Sequence, residues 1–287
     1  MISSDDITIK LILKESTTAL KPHSDSARLD SELIITHVLS IPRTDFILHP
    51  DRVLEMSEID RIQSLIKKRK QGYPVAYITG VKHFWDVELK VNEATLVPRP
   101  ETELLVEAAL LSFPKEEKVR VIDLGTGSGA IAIAIAKNRP NWDVVACDIS
   151  EDALKVATEN AKNYALDNIE FIQSNWFSDI TLSEQFDLII SNPPYIPEQD
   201  PHLQQGDVQH EPITALASGP DGLNDIRQLI ENAKAFLTER GWLLLEHGYD
   251  QAPTVKDIFE QQGYDSVQQA MDLAGHVRSS SAQLANS

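Results

Sequence analysis

The chain has 287 residues, 42% hydrophobic and 24% charged, enough for a medium domain, an accessory one and a sizeable core. Its formal charge of −18 and pI near 4.8 argue against stable nucleic-acid binding, which normally leaves a basic footprint. A single cysteine, Cys147, excludes an internal disulfide and a cysteine-based metal site; with no membrane-length apolar run and no signal-peptide pattern in MISSDDITIKLILKEST, a cytoplasmic protein without a membrane partner is expected.

The first ~70 residues read as helical. Leu29, Leu33, Ile34 and Val38 recur at helical spacing behind the cap candidates Ser24 and Asp25. A further helix starts at Ser57 and runs through Ile59, Ile62, Leu65 and Ile66 to Gly72. It ends in KKRKQG, the one basic cluster, which suits either a helix C-terminus or contact with an RNA or protein partner. Residues 74–100, PVAYITGVKHFWDVELKVNEATLVPRP, are rich in β-branched and aromatic residues and predict a β-hairpin linker. The expected organisation is a helical domain over 1–73, the linker over 74–100 and a second domain over 101–287.

From Val119 strands and helices alternate: VRVIDL, AIAIAIAKN, DVVACD, SEDALKVATENAKNYA, IEFIQ, FDLIIS, a long loop to about 220, DIRQLIENAKAFL and WLLLEH. Alternation of this kind predicts an α/β fold with a parallel, doubly wound sheet, whose ligands bind beyond the carboxyl ends of the strands. The polar end RSSSAQLANS is expected to be loosely held.

Two motifs carry chemistry. In DLGTGSGA, Asp123 is followed by Gly125, Thr126, Gly127, Ser128 and Gly129 at a strand-to-helix turn, where backbone amides can approach a ligand closely. Asp148 ends the next strand, placed to accept from ribose hydroxyls. The glycine spacing also fits a dinucleotide site, but Asp123 two residues before the first glycine favours S-adenosylmethionine (AdoMet). After the third strand, QSNWF offers Trp176 to pack on adenine and Asn175 to hydrogen-bond its edge; a tryptophan here equally suits core packing.

The second motif is NPPY, directly after FDLIIS. Prolines remove donors and end the strand's pairing, leaving the Asn192 side-chain carbonyl and the Pro193 main-chain carbonyl as acceptors. A planar –NH2 group has a delocalised lone pair and must be held in line with a methyl donor. Two acceptors and a flat Tyr195 ring beside the rigid Pro193–Pro194 pair serve that purpose. A general base is not required, and His247 in LLLEHG reads as a structural strand-end residue.

D-x-G-x-G-x-G followed by NPPY resembles class I AdoMet-dependent methyltransferases acting on planar amino groups. GVKHFWDVELKVNEATLVPRPETELLVE, DLGTGSGAIAIAIA, NWF and SNPPYIPEQDPHLQQGDVQHEPITALASGPDGL narrow this to the release factor glutamine methyltransferases, the PrmC/HemK family, over about residues 25–275. The resemblance implies an N-terminal helical bundle, a β-hairpin and a Rossmann-like methyltransferase domain. It implies transfer of methyl from AdoMet to the glutamine of the Gly-Gly-Gln loop in class I peptide chain release factors, with the helical domain contacting the release factor; separately, the chain is expected to act as a monomer. It would assign Asp123, Gly125 to Gly129, Asp148, Trp176 and Asn192 to AdoMet and Asn192, Pro193, Pro194 and Tyr195 to the glutamine. Arg99 and Glu101 match the family's Pro-Arg-Pro segment, with their individual roles open. A ribosomal-protein glutamine methyltransferase or a nucleic-acid adenine methyltransferase would carry similar motifs; DPHLQQGDV favours release factors, and the acidic balance disfavours the nucleic-acid reading. Two features depart from the family: Asn175 stands where relatives often carry Asp, and AGHVRSSSAQLANS lacks the expected apolar final strand.

Overall fold

The computed structural model describes residues 7–284, within which the chain forms two compact units. The first runs up to Val81 and also takes in Gln204–His210; the second comprises Lys82–Leu203 and the chain from Glu211 onward.

In the first unit, helices α1 (Ile9–Leu20), α2 (Ala27–Leu39), α3 (Asp45–Leu48), α4 (Met56–Lys70) and α5 (Val75–Thr79) follow one another. Ile9, Ile12 and Leu20 of α1, Ile34 and Ile35 of α2, and Ile59 and Ile62 of α4 make its core. The turn into α1 is capped by Thr8, whose Oγ1 accepts from the Leu11 amide at 3.3 Å.

Helix α2 departs from its expected orientation. Ser26 is the N-cap rather than Ser24 or Asp25, and Leu29 and Leu33 face outward at 42% and 36% exposure. Asp30 points inward instead, accepting from Ser24 Oγ, Ser26 Oγ and Arg69 Nε, each at 2.7 Å. A buried carboxylate demands such a shell, and the helix face that supplies it displaces the two leucines. The basic cluster at the end of α4 is accordingly divided. Lys67, Lys68 and Lys70 are exposed, whereas Arg69 is buried between Asp30 and Asp207. Tyr73 stacks on His210 with ring centroids 4.1 Å apart, which fastens Gln204–His210 to this unit.

The segment expected to open a β-hairpin linker at residue 74 begins with the helical turn α5, led by Pro74 and stopped by Gly80 at φ 76. Val75 and Ile78 pack on the helical core, and that packing overrides their strand preference. The hairpin itself is β1 (Val81–Phe84) and β2 (Val87–Lys90).

The second unit continues with a single 3-10 turn (Pro100–Thr102), then α6 (Glu103–Ser112), β3 (Arg120–Leu124), α7 (Ala130–Asn138), β4 (Asp143–Asp148), α8 (Glu151–Asn163), β5 (Ile169–Gln173) and β6 (Phe186–Ser191). After a long loop come α9 (Asn224–Ala233), β7 (Leu237–Glu246), α10 (Ala252–Gln261), β8 (Tyr264–Met271) and β9 (Val277–Leu284). One seven-stranded sheet results, in the order β5-β4-β3-β6-β7-β9-β8. β3 to β7 pair in parallel, and β9 is antiparallel to both β7 and β8. Helices α6 and α7 cover one face, α9 and α10 the other, so the central strands are apolar on both sides. This is a Rossmann-like, doubly wound α/β sheet, as the alternation of strands and helices predicted.

Up to Leu284 the loosely held tail is corrected by β9, which lies between β7 and β8 inside the sheet; residues 285–287 of that expectation lie outside the described residues. Its buried positions are Ser279, Ser280 and Ala282 rather than large apolar residues. Ser280 Oγ bonds His247 Nε2 at 2.8 Å and accepts from Gln269 Nε2 at 3.2 Å, so polar pairing replaces apolar packing there. His247 is buried and structural, as its strand-end position suggested. No helix among the described residues is long and apolar enough to cross a membrane.

Candidate active site

The strand order reverses between β3 and β6, the place where a doubly wound sheet opens a crevice beyond its carboxyl ends. Leu124 pairs with Ser191, so the glycine loop and NPPY leave the sheet side by side. Leu124 also pairs with Cys147, which puts Asp148 on the other flank.

The glycine loop is held by its own backbone. The Gly125 and Thr126 amides both donate to Cys147 O at 2.9 Å, and the Gly127 amide donates to Asp148 Oδ2 at 2.9 Å. A Cβ on Gly127 would meet no protein atom within 4 Å, so open space lies beside it. Gly129 starts α7 at φ +85, and a Cβ there would lie 2.7 Å from Ile133 Cδ1. That glycine serves helix packing. Buried Asn160 ties the loop to the hairpin, donating to Ser128 O and Lys90 O, both at 2.9 Å.

Two carboxylates border the loop. Asp123 is fully buried; its Oδ2 accepts from Thr126 Oγ1 at 2.7 Å, and its Oδ1 has no partner among the described residues. Burial raises its pKa to about 7, against the opposing pull of the Thr126 hydroxyl. Asp148 accepts from the Ser150 and Gly127 amides at 2.9 Å each, and burial outweighs those donors to raise its pKa too. Asp148 also lines the cavity of this site.

Trp176 stands in a left-handed conformation at φ 53, with its ring over Gly125, where a Cβ would come 3.2 Å from Cζ3. Its indole N–H donates to Asp225 Oδ1 at 3.0 Å, and Asp225 Oδ2 accepts in turn from Ser218 Oγ at 2.6 Å. The ring is therefore a fixed wall.

On the opposite side, Asn192 Nδ2 donates to Thr102 Oγ1 at 3.0 Å. Among the described residues its Oδ1 has no hydrogen-bond partner, and no main-chain bond reaches the Pro193 carbonyl. Pro193 and Pro194 are buried and rigid. The Tyr195 hydroxyl donates to Glu246 Oε1 at 3.2 Å; burial, then Glu246, raises its pKa and keeps it protonated. Arg99 forms an ion pair with buried Glu211, which also accepts from the Val97 amide at 3.0 Å, so this arginine orders the segment before Thr102.

A cavity of about 410 Å³ joins these parts. Its wall includes Gly125, Gly127, Asp148, Trp176, Asn192 and Pro194 among the expected residues, together with Asn175. Asp123, Thr126, Ser128, Gly129, Pro193 and Tyr195 stand outside that wall and support it. Sequence reasoning missed Thr102, Asp225 and Glu246. Thr102 and Glu246 lie within the quoted PRPETE and LLLEHG, where attention fell on their neighbours; Asp225 carries no local signal. Among the described residues, no group of three or more His, Cys, Asp or Glu is placed to hold a metal.

The arrangement suits a flat group held at two acceptors beside a ligand laid along the glycine loop. Two family models match the chain. A PrmC N-terminal domain matches residues 12–80 and a methyltransferase domain residues 115–282. The release factor glutamine methyltransferase of Coxiella burnetii is 44% identical, covering 95% of this chain and 97% of its own. That of Escherichia coli K12 is 43% identical, covering 93% of this chain and 95% of its own. A methyltransferase from Pyrococcus furiosus shares the fold with a TM-score of 0.53 at 20% identity, over 77% of this chain and 96% of that one. Similarity of this extent along nearly the whole of both chains places the protein in the release factor glutamine methyltransferase family.

Proposed function

We propose that this chain transfers a methyl group from AdoMet to the side-chain amide nitrogen of the Gly-Gly-Gln glutamine in class I peptide chain release factors, acting in the cytoplasm. The observation that carries the chemistry is the pair of uncommitted acceptors, Asn192 Oδ1 and the Pro193 carbonyl, beside the glycine loop. Family membership carries the choice of substrate.

The residues present fit AdoMet. Asp148 on the cavity wall gives the site negative potential for a cationic ligand, and buried Asp123 keeps one acceptor, Oδ1, without a partner among the described residues. Trp176 offers a flat apolar face, and Gly125 and Gly127, on the cavity wall without side chains, let a ligand lie close to the loop backbone. When bound, AdoMet supplies an electrophilic methyl group on its sulfonium.

The chain's own work is on the glutamine. An amide nitrogen is a weak nucleophile because its lone pair is shared with the carbonyl. Asn192 Oδ1 and the Pro193 carbonyl each accept one N–H, which fixes the nitrogen's direction and favours the positive charge that builds on it. The nitrogen gains the methyl and gives up one proton, which the quaternising amide releases readily without a dedicated base. Pro193 and Pro194 keep both acceptors in place.

The test is incubation of the purified chain with AdoMet and a purified release factor, followed by peptide mass spectrometry. One methyl on the Gly-Gly-Gln glutamine is expected. Asn192→Ala should cut the rate at least ~100-fold, the usual cost of losing one such interaction. Methyl found on a ribosomal protein or nucleic acid and absent from the release factor would overturn the reading.

A further inference from the structure

Glu246 ends β7 at 1% exposure, in a place where a carboxylate is costly to keep. Among the described residues no cation forms an ion pair with it: Arg278, across on β9, is committed to Asp272 at 2.9 Å. Its contacts are hydroxyls. Tyr195 donates to Oε1 at 3.2 Å, the Thr102 hydroxyl is near enough to draw the carboxyl's pKa down, and Oε2 has no hydrogen-bond partner among the described residues. Both hydroxyls belong to the group-holding side of the cavity, since Thr102 Oγ1 bonds Asn192 Nδ2 at 3.0 Å.

A hydroxyl has one hydrogen to give. With that hydrogen directed at Glu246, the Thr102 oxygen presents only lone pairs to Asn192. Only the NH2 end of the Asn192 amide can satisfy it, and the carbonyl end is turned toward the substrate. The two ends of an amide are nearly the same size, so shape does not select between them; the hydrogen-bond network does. Were Thr102 free to donate to Asn192, the amide could turn over and oppose the glutamine NH2 with an NH2 of its own.

We propose that Glu246 is a positioning residue for methyl transfer: by receiving the Thr102 and Tyr195 hydroxyl hydrogens, it holds Asn192 with its carbonyl oxygen toward the substrate nitrogen. The inference rests on the function proposed above. Ionised Glu246 accepts from both hydroxyls, whereas the protonated form has a hydrogen of its own to place. Burial holds its pKa up to about 7; Glu101 raises it further, while Thr102, Tyr195 and Arg278 draw it down. The neighbouring His247 points away, to Gly248 O and Ser280. The turnover rate therefore rises as pH increases through about 7.

The experiment measures kcat and KM for release factor methylation between about pH 5.5 and 8.5, for the wild type, Glu246→Gln, Thr102→Val and the double variant. AdoMet affinity and thermal stability are measured alongside. Glu246→Gln should lower kcat about 10- to 100-fold, leave KM and AdoMet affinity within about threefold, and lose the rising limb near pH 7. Thr102→Val should match it, and the double variant should fall no more than about threefold below the worse single one. Wild-type kcat in Glu246→Gln, multiplicative losses in the double variant, or a limb that survives Glu246→Gln would each overturn the inference. Should Glu246→Gln fail to fold, Thr102→Val decides alone: it keeps the carboxylate, and wild-type kcat in it refutes the proposal. A wild-type chain that leaves the glutamine unmodified refutes the functional reading itself, and this inference with it.

Discussion

Gly222→Ala puts a methyl group where no space exists for one. Gly222 sits at φ +76, and a Cβ there would lie 2.1 Å from the Tyr195 carbonyl oxygen and 2.8 Å from Gln251 Nε2. Ordinary contact begins near 3.4 Å, so Tyr195 must retreat by roughly 1 Å. The left-handed backbone costs alanine about 1–2 kcal/mol, and loss of the 2.9 Å bond from Gln251 Nε2 to Tyr195 O adds about 1. The sum of about 2–3 kcal/mol corresponds to a fall in Tm of roughly 4–12 °C. The functional effect should be larger. Tyr195 is the last residue of NPPY, and a displacement near 1 Å at a reacting group costs up to about 100-fold in rate. Differential scanning fluorimetry and methylation kinetics at 25 °C measure the two effects, with Gly263→Ala as control. Gly263 has a similar φ of +79 but nothing within 4 Å, so its variant should show backbone strain alone and wild-type kcat. A Gly222→Ala protein with wild-type kcat, or a Gly263→Ala protein equally impaired in kcat, would refute the reasoning.

Asp225→Ala should release the Trp176 indole and weaken AdoMet binding about 5- to 10-fold, the usual effect of one lost hydrogen bond at a ligand wall; calorimetry measures the change. Asp123 should give stability a distinctive pH dependence. Its folded pKa of about 7 stands above the ordinary 3.8, so its contribution is complete below about pH 4 and is lost as pH rises through 7. Denaturant unfolding at pH 4.5 and pH 8 should show that Asp123→Asn removes a decline of about 3 kcal/mol from the wild-type difference. Arg69→Met should destabilise by about 3–5 kcal/mol, because Asp30 is left buried without its cation; adding Asp30→Asn should restore most of that stability in the same unfolding assay.

The elements most legible in the sequence are those whose signal is local. The glycines and Asp123 mark a turn by backbone need, and NPPY marks a strand end by removing donors; both lie where the strand order reverses. Strands β3, β4 and β6 were readable because burial on both faces demands unbroken apolar runs. Strand β9 was not, since Ser279 and Ser280 meet polar partners from elsewhere in the sheet. Outward-facing Leu29 and Leu33 misled the helical pattern for the same reason: the pull on Asp30 comes from Arg69, 39 residues away. Thr102, Asp225 and Glu246 likewise acquire meaning through partners 90, 49 and 51 residues distant, a relation that no window along the chain displays.

The assignment of Gln204–His210 to the helical unit makes that unit discontinuous, so no single cut frees it. The chain passes between units at 81/82, 203/204 and 210/211. A fragment starting at Lys82 would carry this seven-residue segment without Arg69 and Tyr73, the partners of its Asp207 and His210. A chimaera that exchanges the helical unit between homologues must exchange the segment too, or it separates residues matched to one another. The two parts are then a linked pair for protein engineering, to be transplanted together although more than a hundred residues lie between them.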